Sequence, residues 1–203
     1  MKLRRAILNI AILCAVPFML TDAIADDETV AAVERILSAA GGRENLLTSF
    51  TFKERLIMKP DGKKPGTERV SVIDAPSVWW INEKERGDEP AKMLVWAWTL
   101  GVLIDSRSRL ALFQVEGDDA LFGIEVSGSI DPPMKLYFNQ SDDRLARIEW
   151  RKTVHRFSDW KQADGVWYPS AAEGQKDGEA TLWYDSRILE LSRANELPLG
   201  SAK

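Results

Sequence analysis

Residues 49–59 read SFTFKERLIMK, and this stretch decides the fold. Phe50, Phe52, Leu56 and Met58 fall on one side of a period-two pattern, with Thr51, Lys53, Arg55 and Lys59 on the other. Successive side chains of a strand point to opposite faces, so the pattern predicts a strand with one apolar face. Pro60-Asp61-Gly62 then supplies a turn.

The same alternation recurs downstream. Strands are predicted over 68–73, 78–82, 110–116, 121–127, 134–139, 145–152, 153–161, 167–173, 180–184 and 188–194. Most are separated by short turn-rich segments such as Asp74-Ala75-Pro76, Gly117-Asp118-Asp119, Ser141-Asp142-Asp143 and Ala163-Asp164-Gly165. Strands on short connections pair consecutively and antiparallel. Several carry apolar residues on one face: Phe122, Ile124 and Val126; Met134, Leu136 and Phe138; Ala146, Ile148 and Trp150. Ten or so strands in one twisted sheet must curl or close.

Upstream the period is helical. Val30, Val33, Ile36, Leu37 and Ala40 share a helix face, Asp26-Asp27 suit its start, and Gly41-Gly42 its end, which predicts a helix over 28–40. A further helical turn is expected from Arg43 to Leu47. Residues 90–105, PAKMLVWAWTLGVLID, predict a second, central helix, because Pro90 suits a first turn and Leu94, Trp98 and Val102 recur at helical spacing. Gly101 weakens it, and two buried strands are the alternative. With no internal repeat, low-complexity tract or linker, residues 26–203 are expected to form a single domain.

The first 25 residues have another character. Lys2, Arg4 and Arg5 precede an apolar run from Ala6 to Leu20, and Ala23-Ile24-Ala25 follows, as in a cleavable signal peptide. The run, interrupted by Asn9 and Pro17, falls short of the roughly 20 residues of a membrane-spanning helix. Ile12-Leu13 before Cys14 is not the small-residue setting of a lipid-attachment site. Cleavage after Ala25 would leave 178 residues without cysteine and change the formal charge from −4 to −6, in the periplasm or outside the cell. Stability there would rest on the apolar core alone.

Composition excludes several functions. Twenty-seven basic against 31 acidic residues argue against nucleic-acid binding, which needs clustered Lys and Arg. One Cys and one His make no zinc, iron–sulfur or disulfide framework, so no metal or cofactor is expected. Imidazole-based catalysis must run through His155, which on alternation shares a face with Thr153, Phe157 and Asp159. No nucleophile elbow, P-loop or dinucleotide glycine pattern accompanies it, so a structural histidine is the stronger reading and no catalytic residue is assigned. Asp118-Asp119 and Asp142-Asp143 read as turn residues rather than acid/base pairs or cation ligands, and Lys63-Lys64 as a solvated loop. Trp79 and Trp80 should face opposite ways, one into the core and one to the rim.

The element order resembles LolA/LolB-like periplasmic proteins, in a divergent secreted bacterial subgroup. The resemblance rests on the helix ending in Gly41-Gly42, the long first strand, the strand after Ala75-Pro76, and Phe157-Ser158-Asp159-Trp160 followed by Asp164-Gly165-Val166-Trp167-Tyr168-Pro169. Asn195-Glu196-Leu197-Pro198-Leu199-Gly200 looks like an abbreviated end of the same pattern, and the middle segments Trp96–Leu103 and Ile130–Met134 like the subgroup. The resemblance implies a mostly β (α+β) fold: a curved antiparallel sheet forming an incomplete barrel, capped by the N-terminal and central helices over a hydrophobic cavity. In characterised members that cavity receives lipoprotein acyl chains. No family functional residue maps onto a position here.

The expected function is therefore non-enzymatic binding of a hydrophobic ligand, a lipid or lipoprotein acyl chain, for a carrier or envelope-maintenance role. The candidate lining is Phe50, Phe52, Leu56, Met58, Trp80, Trp98, Phe122, Ile124, Leu136, Phe138, Ile148 and Trp150, with residues 91–104 as a lid. The alternative is an envelope interaction or sensor module with a packed core, bound to an envelope protein partner. Apolar sheet faces beneath helices are as a rule packed, and a filled and a hollow sheet need the same residues.

Overall fold

The computed structural model describes residues 26–60 and 65–194. The signal-peptide reading, Cys14, Lys63-Lys64 and the tail from Asn195 lie outside the described residues.

Among the described residues, eleven strands form one antiparallel sheet: β1 Ser49–Met58, β2 Thr67–Asp74, β3 Val78–Ile81, β4 Lys84–Glu85, β5 Arg109–Gln114, β6 Leu121–Ser127, β7 Met134–Asn139, β8 Leu145–Trp150, β9 Thr153–Ala163, β10 Val166–Lys176 and β11 Leu182–Arg193. Their order across the sheet is β4-β3-β2-β1-β11-β10-β9-β8-β7-β6-β5. Consecutive hairpins account for it except where β11 closes back onto β1, and β4 and β5 stay unpaired with each other, so the barrel is incomplete. Two helices, α1 Asp27–Ala39 and α2 Glu89–Trp98, pack on the inner face, as expected for this fold class.

Helix α1 starts at Asp26, whose Oδ1 accepts from the Thr29 amide at 2.7 Å. Val30, expected on its apolar face, is half exposed; Thr29 is buried instead, and its hydroxyl accepts from the Leu112 amide on the edge strand β5 at 3.1 Å. The helix ends through Gly41 and Gly42, both at positive φ. A Cβ on Gly41 would stand 2.3 Å from the Gly165 carbonyl oxygen in the β9–β10 turn, so this residue must be glycine for helix and hairpin to meet. A 3-10 turn over Arg43–Asn45 follows, one residue pair shorter than expected.

The central helix is also shorter than its apolar run. It stops at Trp98, Leu100 is left-handed (φ 63°), and Gly101–Leu103 form a 3-10 turn. The Trp96 indole lies where a Cβ on Gly101 would be, so the glycine that weakens the helix seats a tryptophan.

Other boundaries shift for identifiable reasons. The stretches 145–152 and 153–161 meet at a two-residue turn, Arg151-Lys152, with both residues left-handed, a hairpin without glycine. A register shift at Tyr137/Phe138 turns Leu145 rather than Ala146 into the core. The segments 180–184 and 188–194 are one strand, β11, because the polar Asp185-Ser186-Arg187 between them pairs in register with β1 and β10.

The inner face divides into two regions. Under α1 and the C-terminal part of α2, Phe122, Ile124, Leu136, Phe138, Ile148 and Trp150 pack with Ile36, Leu37, Trp96 and Ala97 into a filled core. Across the other side, β1, β3 and β11 meet α2 through Phe50, Phe52, Trp79 and Ile188 against Ala91, Val95 and Trp98, with Ile73 of β2 and Tyr168 of β10 in the same cluster.

Candidate functional site

Register builds a second inner surface beside the filled core. Cross-strand pairs Leu56↔Ser186, Met58↔Tyr184, Ala172↔Phe157, Gly174↔His155 and Glu54↔Ile188 place these residues on the face turned towards α2. Helix α2 contributes Ala91, Leu94, Val95 and Trp98, and β3 contributes Trp79. Together they line a half-open cavity of about 400 Å³. Met58, 48% exposed, lies where the cavity meets solvent.

Of the candidate lining, Phe52, Leu56, Met58 and Trp98 border this cavity. Phe50 is fully buried just behind them, with its ring 5.7 Å from that of Trp98. Phe122, Ile124, Leu136, Phe138, Ile148 and Trp150 are placed elsewhere, in the filled core under α1. Of the tryptophan pair, Trp79 faces inward at the cavity and Trp80 does not border it.

Sequence reasoning passed over the polar groups of the wall. Glu54 occupies the gap between Phe52 and Leu56 on the apolar face of β1 and is 4% exposed. Its Oε1 accepts from Arg69 Nε at 2.8 Å, and its Oε2 accepts from the Ser186 hydroxyl. A buried carboxylate needs such partners, because desolvation without them costs several kcal/mol. The missing apolar residue at position 54 was the signal for it. Arg69 was hidden, because Val70 and Val72 supply the apolar alternation of β2 while Arg69, Ser71 and Ile73 face inward.

Two arginines flank Trp79, with the Arg69 guanidinium 5.9 Å and that of Arg86 4.8 Å from its ring centre. Arg86 Nη2 donates to Asp88 Oδ2 at 2.7 Å. Asp88 is also the N-cap of α2, so the helix start and the arginine are tied together.

His155 lies in the same wall, 2% exposed. Its Nδ1 meets the Tyr184 hydroxyl at 2.8 Å and its Nε2 the Thr153 hydroxyl at 2.9 Å. Burial pushes the imidazole down to about 4 from the ordinary 6.5, so it is neutral at pH 7. Burial, with the Glu54 carboxylate adding to it, raises the Tyr184 phenol well above the ordinary range. The His155–Asp159 pairing read from alternation does not form. Asp159 adopts a left-handed conformation (φ 53°), which interrupts the alternation, and its carboxylate pairs with Arg187. Ser186 donates to Glu54 rather than to the imidazole, so His155 contacts neither a carboxylate nor an activated serine among the described residues.

The paired aspartates sit in turns: Asp118 Oδ1 accepts from the Ala120 amide, and Asp142 Oδ1 from the Arg144 amide. Among the described residues no three His, Cys, Asp or Glu converge as a metal site, and no helix is long and apolar enough to cross a membrane.

No protein-family model matches the sequence, and no curated protein matches it. Solved structures do. A LolA superfamily protein of Nitrosomonas europaea aligns over 84% of this chain and 95% of its own, with a TM-score of 0.54 at 10% identity. The chain has a LolA-like fold. A Vibrio parahaemolyticus domain assigned to outer membrane lipoprotein sorting (9% identity, 84% of this chain and 94% of its own) and a DUF1329 family protein of Desulfovibrio piger (11%, 85% and 95%) both give a TM-score of 0.49. The LolA-like assignment rests on the first structure and on the open sheet with its two covering helices.

Proposed function

We propose that this chain binds a hydrophobic ligand, a lipid or lipoprotein acyl chain, in the cavity between α2 and strands β1, β2, β10 and β11. The role is that of a carrier, or of envelope maintenance, without a catalytic step. Residues 1–25 direct the chain to the periplasm and are removed, leaving 26–203 as the working domain.

One observation carries the reading: the core under α1 is filled, whereas beside the second apolar cluster a largely apolar hollow of about 400 Å³ lies between α2 and the sheet. The hollow opens to solvent beside Met58, so a ligand can enter it from outside. Its size lies within the range of small-molecule pockets. Burying an acyl chain gains about 0.8 kcal/mol per methylene, and a chain of roughly a dozen carbons is enough to offset much of the entropy cost of association. Movement of α2 and the turn after it would admit the chain.

The test is lipid extraction and mass spectrometry of the protein purified from its native envelope. A co-purifying acyl lipid in near-stoichiometric amount is expected. Repeated recovery of lipid-free protein would refute the reading.

A further inference from the structure

The cavity opens at one end of the sheet, and the two ends differ in charge. In an antiparallel meander alternate turns lie at opposite ends, so the β1–β2, β8–β9 and β10–β11 turns share one end and the β5–β6, β7–β8 and β9–β10 turns the other. Met58, at the mouth, closes β1 on the first of these ends. There each of β1, β9 and β10 carries an exposed lysine just past the residues that line the cavity. Lys59 follows Met58, Lys152 stands before Thr153 and His155, and Lys176 ends β10 beyond Ala172. Backbone bonds and register join them along the rim. The Lys59 amide donates to the Trp183 carbonyl at 2.8 Å, the Asp177 amide to the Lys152 carbonyl at 2.8 Å, and Lys176 is opposite Thr153. Arg151, also exposed, shares the turn of Lys152.

This collar is basic in an acidic chain of formal charge −4. Lys53, Lys92 and Lys176 form the lysine ion pairs among the described residues, and Lys59 and Lys152 are in none. Carboxylates are present at that end too, Glu83 and Asp131 in neighbouring turns and Asp177 and Glu179 beside Lys176. The opposite end is far more acidic: its three turns hold Glu116, Asp118, Asp119, Asp142, Asp143 and Asp164 against Arg144. A charge distribution of this kind turns the mouth towards an anionic surface and the far end away from it.

We infer that the mouth docks on the surface of an anionic bilayer, with Lys59, Arg151, Lys152 and Lys176 against the lipid headgroups and Met58 among them. The inference rests on the apolar-cavity reading and adds the surface from which an acyl chain enters. A bilayer fits better than an acidic protein because the cations stand around the opening that the acyl chain must pass, with a 48% exposed apolar side chain beside them. Each Lys or Arg next to an anionic surface strengthens binding about fivefold, and the attraction fades within a Debye length. A collar of this size therefore gives weak, salt-sensitive docking, which lets a carrier leave the surface again.

The experiment is co-sedimentation of the protein, purified from its native envelope and freed of lipid, with two kinds of vesicle: phosphatidylcholine containing about a quarter phosphatidylglycerol, and phosphatidylcholine alone. Binding to the anionic vesicles only, lost at about 0.5 M salt, is expected. Lys59 and Lys152 are both left-handed, so asparagine, which accepts that conformation, replaces each of them with little strain. Lys59→Asn and Lys152→Asn should each weaken vesicle binding about fivefold. Lys161→Asn, exposed beside the β9–β10 turn at the other end, should change it by less than about twofold. Equal binding to both vesicles, an equal loss in Lys161→Asn, or no vesicle binding at all, as for a rim that meets an acidic protein, would overturn the docking surface. Quenching of tryptophan fluorescence by a brominated acyl chain without vesicles reports the cavity separately: if it persists, the apolar cavity stands without the docking surface, and if it is absent, both readings fall.

Discussion

At the scale of single residues, the wall of the cavity depends on polar side chains set into an apolar face. Glu54→Leu would leave the mostly buried Arg69 without its carboxylate, and breaking one partner of a buried pair typically costs about 3–5 kcal/mol. Urea unfolding should show a loss in that range, and Glu54→Leu with Arg69→Met should recover most of it. His155 makes a separate prediction. Its imidazole is depressed to about 4 when folded against the ordinary 6.5, so the unfolded chain takes up that proton first as pH falls. Its contribution is intact above about pH 6.5 and lost as pH drops towards 4, on the order of 3 kcal/mol in all. Unfolding midpoints measured across that window should fall less steeply in His155→Gln; an unchanged slope would mean that the histidine is not the titrating group. The small residue beside it matters too, since a Cβ on Gly174 would stand 2.1 Å from the Tyr184 ring that holds His155 in place.

Among the elements, those with uninterrupted alternation were legible in the sequence: β6 and β7 lie where the pattern puts them. What hid the rest was local. Arg151-Lys152 makes a tight turn without glycine or proline, and Asn82-Glu83 does the same between β3 and the two-residue strand β4, which no alternation could reveal. Asp185-Ser186-Arg187 looked like a loop because its polar groups serve the cavity wall and the outer-face ion pairs. Helix α1 illustrates the same limit, for the buried residue of its first turn is a threonine that covers an edge strand. Thr29→Val keeps the shape and removes the acceptor for the Leu112 amide. Stability should fall by about 1–3 kcal/mol, and hydrogen exchange should accelerate at Leu112 more than at the paired amides of β6. Uniform acceleration across both strands would argue that the contact has no local role.

For the whole molecule, the pattern of apolar strand faces implied an incomplete barrel over helices but not which half would be filled. The candidate lining joined residues of both halves because packed and hollow surfaces use the same side chains. Which side became hollow depends on long-range register: β11 returns to β1 and brings Tyr184, Ser186 and Ile188 opposite Met58, Leu56 and Glu54, away from the α1 core. Small inward residues keep that side open, among them Ala172, opposite Phe157 and Ser186. Ala172→Trp should fill the hollow from the sheet side without touching the core under α1. The most direct measurement is therefore titration of the unaltered chain and Ala172→Trp with a brominated acyl chain, read by quenching of tryptophan fluorescence, since Trp79, Trp98 and Trp183 border the cavity. Saturable quenching at one chain per protein, lost in a variant whose thermal unfolding stays cooperative, is the predicted result. Equal quenching in both proteins, or none in the unaltered chain, would contradict an acyl-binding cavity.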